Sequence, residues 1–185
     1  MLVAQLWVPL LVLAHELGHA AVILASTRGP ALVLVGTGRR GPKLRFGRRF
    51  MIVFTGLGFS GGRCYHREAL TRRQALAFAL AGPAVNLGLG AALLADALAA
   101  GAGTSRVVLL AGAVGSLEAG LLNLVPLRHG TAISDGAHAY RAATGRDAPA
   151  VSRPQPEREL RPFFVFLLVI VGLRLVASAV AAAIR

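Results

Sequence analysis

The chain has 185 residues, 55% hydrophobic and only 15% charged, with a mean hydropathy of +0.64; this excludes an ordinary soluble domain and makes lipid the solvent for much of it. A formal charge of +12 and a pI near 11.8 would raise nucleic-acid binding for a soluble chain, but here the basic residues alternate with apolar spans and are expected to face anionic lipid head groups. Cys64 is the only cysteine, so an intrachain disulfide and a cysteine-built zinc cage are both excluded.

Four stretches approach the ~20 apolar residues needed to cross a bilayer, at residues 2–24, 75–98, 107–127 and 163–184. They predict an all-α polytopic membrane protein forming a single membrane-embedded domain over residues 1–185, with a small β-hairpin or sheet in its first loop. The first stretch has no Lys or Arg before its apolar run and carries His15, Glu16 and His19 within it, which argues against a cleaved signal peptide. Of the 20 basic residues, 11 lie between Arg28 and Arg73 and six between Arg128 and Arg161, while only Arg106 lies between the second and third spans. The positive-inside rule therefore places both long loops in the cytoplasm and both termini outside, as a multi-pass protein of the cell membrane.

Within the first span, His15-Glu16-Leu17-Gly18-His19 is an H-E-x-x-H sequence. Positions i and i+4 share a helix face, so both imidazoles can reach one ion, while Glu16 projects about 100° around the helix. Zinc takes imidazole nitrogen, keeps three protein ligands plus water when catalytic, and lowers the pKa of that water toward about 7, so that a carboxylate such as Glu16 can act as general base. Two histidines and a carboxylate inside a span are costly in lipid and are normally paired or functional. The bland alternative is hydrogen bonding to other helices.

The first loop contains short β-favouring runs at 31–35, 43–46 and 50–55, punctuated by Gly36, Gly38, Gly41, Gly47, Gly56 and Gly58. They predict a small sheet or hairpin at the membrane surface, whose edge strand would hold an extended peptide. Among the candidates for a third metal ligand (Asp135, His129, His138, Glu118 and Asp96), Asp135 is favoured. It closely follows the third span in Ser134-Asp135-Gly136, where the glycine permits a backbone bend. Its bland alternative is a solvated helix-capping Asp. Glu118 and Arg174 are also costly in lipid and either pair or face water. Pro154, Pro156 and Pro162 predict an extended linker into the last span.

Three stretches resemble the site-2 protease family of intramembrane metalloproteases: His15 to His19; Ala81-Gly82-Pro83-Ala84-Val85-Asn86-Leu87; and Asn123-Leu124-Val125-Pro126 with Asp135-Gly136. The resemblance covers roughly residues 2–140. It implies one Zn2+ per chain on His15, His19 and Asp135, Glu16 as the base, and Asn86 and Asn123 as catalytic polar groups near the scissile peptide. An amide there can donate to an oxyanion or hold a substrate backbone open; the bland alternative is interhelical hydrogen bonding. The spacing from Pro126 to Asp135 is longer than in many members, leaving His129 and His138 as possible partners of the metal. No PDZ-like or nucleotide-sensing segment is visible, so regulation would fall to the loops or to a separate membrane protein.

The expected function is an intramembrane zinc endopeptidase acting on membrane-spanning protein substrates. The alternatives are a catalytically silent zinc-binding adaptor and a small ion or proton transporter. A structural site has no use for Glu16, and a transporter would need ionisable groups along a full crossing path.

Overall fold

A computed structural model describes residues 2–37, 41–55, 58–129 and 132–146. The fourth expected span, Arg174 and the proline-rich linker lie outside the described residues. Helix α1 (Leu2–Ser26) is followed by strands β1 (Ala31–Thr37), β2 (Lys43–Phe46), β3 (Phe50–Phe54) and β4 (Gly58–His66). Helices α2 (Arg72–Ala99) and α3 (Thr104–Leu124) come next, then the two-residue strands β5 (Arg128–His129) and β6 (Ala132–Ile133), and helix α4 (Asp135–Thr144).

Three of these helices are long and apolar enough to cross a membrane: α1 over Trp7–Ser26, α2 and α3. They pack through small residues, as helices must where lipid removes the hydrophobic drive between them. A Cβ on Gly18 would lie 2.7 Å from the Ala81 carbonyl oxygen, and one on Gly90 would lie 2.6 Å from Leu117. Polar links add register: Trp7 Nε1 donates to the Val108 carbonyl (3.1 Å), and the Ser116 hydroxyl to that of Asn86 (2.8 Å).

The all-α expectation is overturned. β1 to β4 form one mixed sheet in the order β2-β3-β1-β4, with β1 and β3 parallel and both other pairings antiparallel. A surface hairpin cannot produce a parallel pair, which requires a crossover. Nor is the sheet an appendage. Of the six residues in the buried apolar cluster, Ala20 and Ile23 come from α1, and Ala31, Val33, Val35 and Ile52 come from the sheet. Alternation along β1 buries Ala31, Val33 and Val35 and leaves Leu32 and Leu34 half-buried on the other face. The chain is therefore an α+β structure in which the sheet shares a core with the first apolar helix.

Two glycines make the sheet's geometry possible. Gly47, at φ +62, closes the turn between β2 and β3, and Gly36, at φ 96, sits where the β1–β4 register shifts. The expected strands at 31–35, 43–46 and 50–55 are present with small changes of boundary. β4 has no counterpart in that expectation, because Gly58, Gly61 and Gly62 are poor strand formers whose pairing is set by β1.

Helix α2 starts at a capping box, with Thr71 and Gln74 exchanging side-chain-to-backbone hydrogen bonds. Helix α4 starts at Ser134, whose hydroxyl accepts from Ala137 N and donates to the Val125 carbonyl (2.6 Å). Gly136 does not act as a bend at positive φ. It lies inside α4, and a Cβ there would collide with the Leu124 carbonyl at the end of α3. It therefore allows α4 to dock closely, and Asp135 stands at the first helical position.

Candidate metal centre

His15 and His19 lie one turn apart on α1, and the docking of α4 brings Asp135 to them across 120 residues of sequence. His15 Nε2 is 2.8 Å from Asp135 Oδ2, His19 Nε2 is 3.4 Å from Asp135 Oδ1, and the two Nε2 atoms are 3.2 Å apart. One ligand atom from each residue lies within 4.8 Å of the others, so the group can hold a metal ion. The spacing suits such an ion. Bonds of about 2.0–2.1 Å in tetrahedral geometry place ligands roughly 3.3–3.4 Å apart.

The surroundings favour the metal-binding form of each imidazole. His19 Nδ1 donates to the Phe78 carbonyl at 2.6 Å, which leaves Nε2 with its lone pair. His15 Nδ1 lies 3.3 Å from the side-chain amide of Asn86, which is only 2% exposed and whose Oδ1 has no hydrogen-bond partner among the described residues. The oxygen and nitrogen of an amide are interchangeable by a half-turn. With the proton of His15 on Nδ1, the amide oxygen belongs on the His15 side, and Nε2 is then free to coordinate. Gly82 keeps space open beside the site, because a Cβ there would run into the Nε2 atoms of both histidines.

Asp135 is ionised. Burial opposes its charge, but where His15 and His19 carry a proton on Nε2 their hydrogen bonds outweigh that and lower the carboxyl to about 2; a metal ion would take the place of those protons. Glu16 is 6% exposed and packs against β4: a Cβ on Gly62 would lie 2.6 Å from its Cγ and 2.7 Å from its Oε1. Its carboxylate makes no hydrogen bond among the described residues and lines a cleft of 380 Å³ together with His19 and Asp135. The opposite wall is β4, through Gly62, Cys64 and Tyr65, and His138 stands at the exposed rim. Burial, and secondarily Glu16, push the Cys64 thiol up to about 12, so it is a poor metal ligand and a poor nucleophile at neutral pH.

His15, Glu16, His19, Asp135 and Asn86 are thus gathered in one place. Asn123, in the last turn of α3, is half-buried and does not line the cleft. Glu118 is half-buried in α3 and Asp96 exposed in α2, and neither belongs to the metal-competent group. The parts that sequence reading missed act through backbone or through empty space: the Phe78 carbonyl, Gly62 and Gly82. The Gly-Pro pair at Gly82 was the one visible sign. No protein-family model matches this chain, and no curated protein matches it.

Proposed function

We propose that this chain is a zinc peptidase that cleaves peptide bonds in or near membrane-spanning segments of other proteins. One observation carries the reading: the ligand atoms of His15, His19 and Asp135 converge beside the carboxylate of Glu16, which has no hydrogen-bond partner among the described residues, in a cleft walled by a strand at the edge of the described sheet. The donor set of two imidazoles and one carboxylate is that of catalytic rather than structural zinc sites. When bound, zinc supplies Lewis acidity, bringing the pKa of water from 15.7 toward about 7 and polarising a carbonyl.

The protein's own groups do the rest. Glu16 takes the proton from water and returns it to the departing amine, a role suited to a carboxylate that no donor among the described residues occupies. Asn86 and the Phe78 carbonyl hold the two imidazoles in the tautomer with Nε2 free. Among the described residues β4 has a neighbour on one side only, so an extended substrate can lie along its other edge by main-chain hydrogen bonds, opposite Glu16. The substrate-facing role that the family resemblance implies for Asn123 draws no support from its position. On the same proposal, the basic segments at 28–73 and 128–161 lie on the cytoplasmic side.

The test is cleavage of model membrane-spanning substrates by the full chain in lipid nanodiscs, before and after chelation. The proposal expects cleavage to disappear with chelator and to return with stoichiometric zinc. Cleavage indifferent to chelation would refute it, and zinc binding without cleavage across a broad substrate panel would identify a silent metal-binding adaptor.

A further inference from the structure

The sheet has a second face that the metal centre does not use. With Val33 and Val35 turned toward α1, Leu32 and Leu34 face the other way, and the strand register sets Met51 beside Leu32 and Arg45 beside Met51. A hollow of 730 Å³ opens on this face, lined by four arginines (Arg45, Arg48, Arg49 and Arg67) and no acidic residue.

Arg49 is committed to the fold. Its guanidinium donates to the carbonyl oxygens of Leu24 (3.2 Å), Thr27 (2.5 Å) and Gly29 (3.2 Å), just where α1 ends. These bonds fix the basic end of the hollow to the end of a helix long enough to cross a membrane, which is the level of lipid phosphates. The other three arginines are exposed and have no carboxylate partner among the described residues. Arg45 Nε donates to the Gly47 carbonyl (3.2 Å), and Arg48 and Arg67 make no hydrogen bond or ion pair among the described residues.

We propose that this face is a binding site for one anionic phospholipid, its phosphate held among Arg45, Arg48 and Arg67 and an acyl chain laid on Leu32, Leu34 and Met51. Guanidinium groups match phosphate oxygens in pairs. The aliphatic floor matches a lipid chain and offers a free phosphate nothing. The site is separate from the metal centre and stands whether or not the chain is a peptidase.

The experiment is native mass spectrometry of the full chain released from nanodiscs of equal phosphatidylglycerol and phosphatidylcholine. The wild type is expected to retain phosphatidylglycerol about tenfold over phosphatidylcholine. The triple variant R45Q/R48Q/R67Q should fall to near parity, and the charge-keeping R45K/R48K/R67K should hold an intermediate preference. Millimolar inorganic phosphate should leave the retained lipid in place. The single changes R45Q and R48Q, at exposed positions, give the same reading on a smaller scale should the triple variant misfold by circular dichroism. Parity in the wild type, or a preference that survives both the triple and the single changes, would overturn the proposal. So would displacement by phosphate alone, which marks a simple anion pocket, or by a single-stranded oligonucleotide, which marks a general polyanion surface.

Discussion

Replacing Asn86 separates two roles that one amide can play. At 2% exposure it touches His15 Nδ1 at 3.3 Å, so its oxygen can fix the imidazole tautomer while its NH2 remains available as a donor. Asn86→Leu, close in volume, removes the acceptor and leaves the Nδ1–H of His15 buried without a partner. Loss of such an outer partner costs about 10- to 100-fold in metal affinity, or about 1.4–2.7 kcal/mol. Asn86→Asp keeps an oxygen facing Nδ1 and should hold zinc at least as tightly as the wild type, while losing the NH2. Competition with a chromophoric chelator on the solubilised full chain reads the affinity. Nitrogen-15 shifts of the imidazole of His15 read the tautomer directly, with the proton on Nδ1 in wild type and Asn86→Asp and mixed in Asn86→Leu. Wild-type affinity and an unchanged tautomer in Asn86→Leu would refute the reasoning. If Asn86→Asp keeps zinc but loses cleavage, the amide NH2 also acts on substrate.

Other changes probe the remaining contacts. Gly82→Ala drives a methyl group onto the Nε2 atoms of both histidines, so zinc affinity should fall about 100-fold or more, roughly 3 kcal/mol, by the same chelator competition. Gly62→Ala pushes on Glu16 Cγ and Oε1 from β4. It should leave zinc content unchanged and lower kcat, and a loss of zinc instead would show that β4 supports the ligands themselves. Cys64, with its thiol moved from 9.0 to about 12, should react with iodoacetamide at pH 8 hundreds of times more slowly than a free thiol, the rate rising with pH; alkylation at the rate of a free thiol would contradict its burial.

The three described apolar helices and the pairing of His15 with His19 were legible in the sequence because each follows from a local rule. Apolar length marks the spans, the i, i+4 spacing places His15 and His19 together, and β-branched alternation marks β1. Asp135 was favoured for its place just after the third span and for the glycine beside it, but the reason given for its position was not the one the fold uses. Gly136 serves close packing against Leu124 rather than a turn, a distinction that needs the neighbouring helix to be known. The sheet's place was illegible for a similar reason. β3 pairs parallel to β1, and β4 pairs through Gly61 and Gly62, and neither long-range pairing has a local signature. A loop expected as a small sheet or hairpin at the membrane surface therefore supplies four of the six residues of the buried apolar cluster and one wall of the cleft. Phe78 contributes a backbone carbonyl, which no side-chain pattern can reveal.

The most direct test of the central claim compares the wild type with Glu16→Gln for zinc content and for cleavage of a membrane-spanning substrate in the same nanodiscs. The account predicts about one zinc per chain in both proteins, with cleavage only in the wild type. Cleavage retained by Glu16→Gln, or no zinc in the wild type, would contradict it.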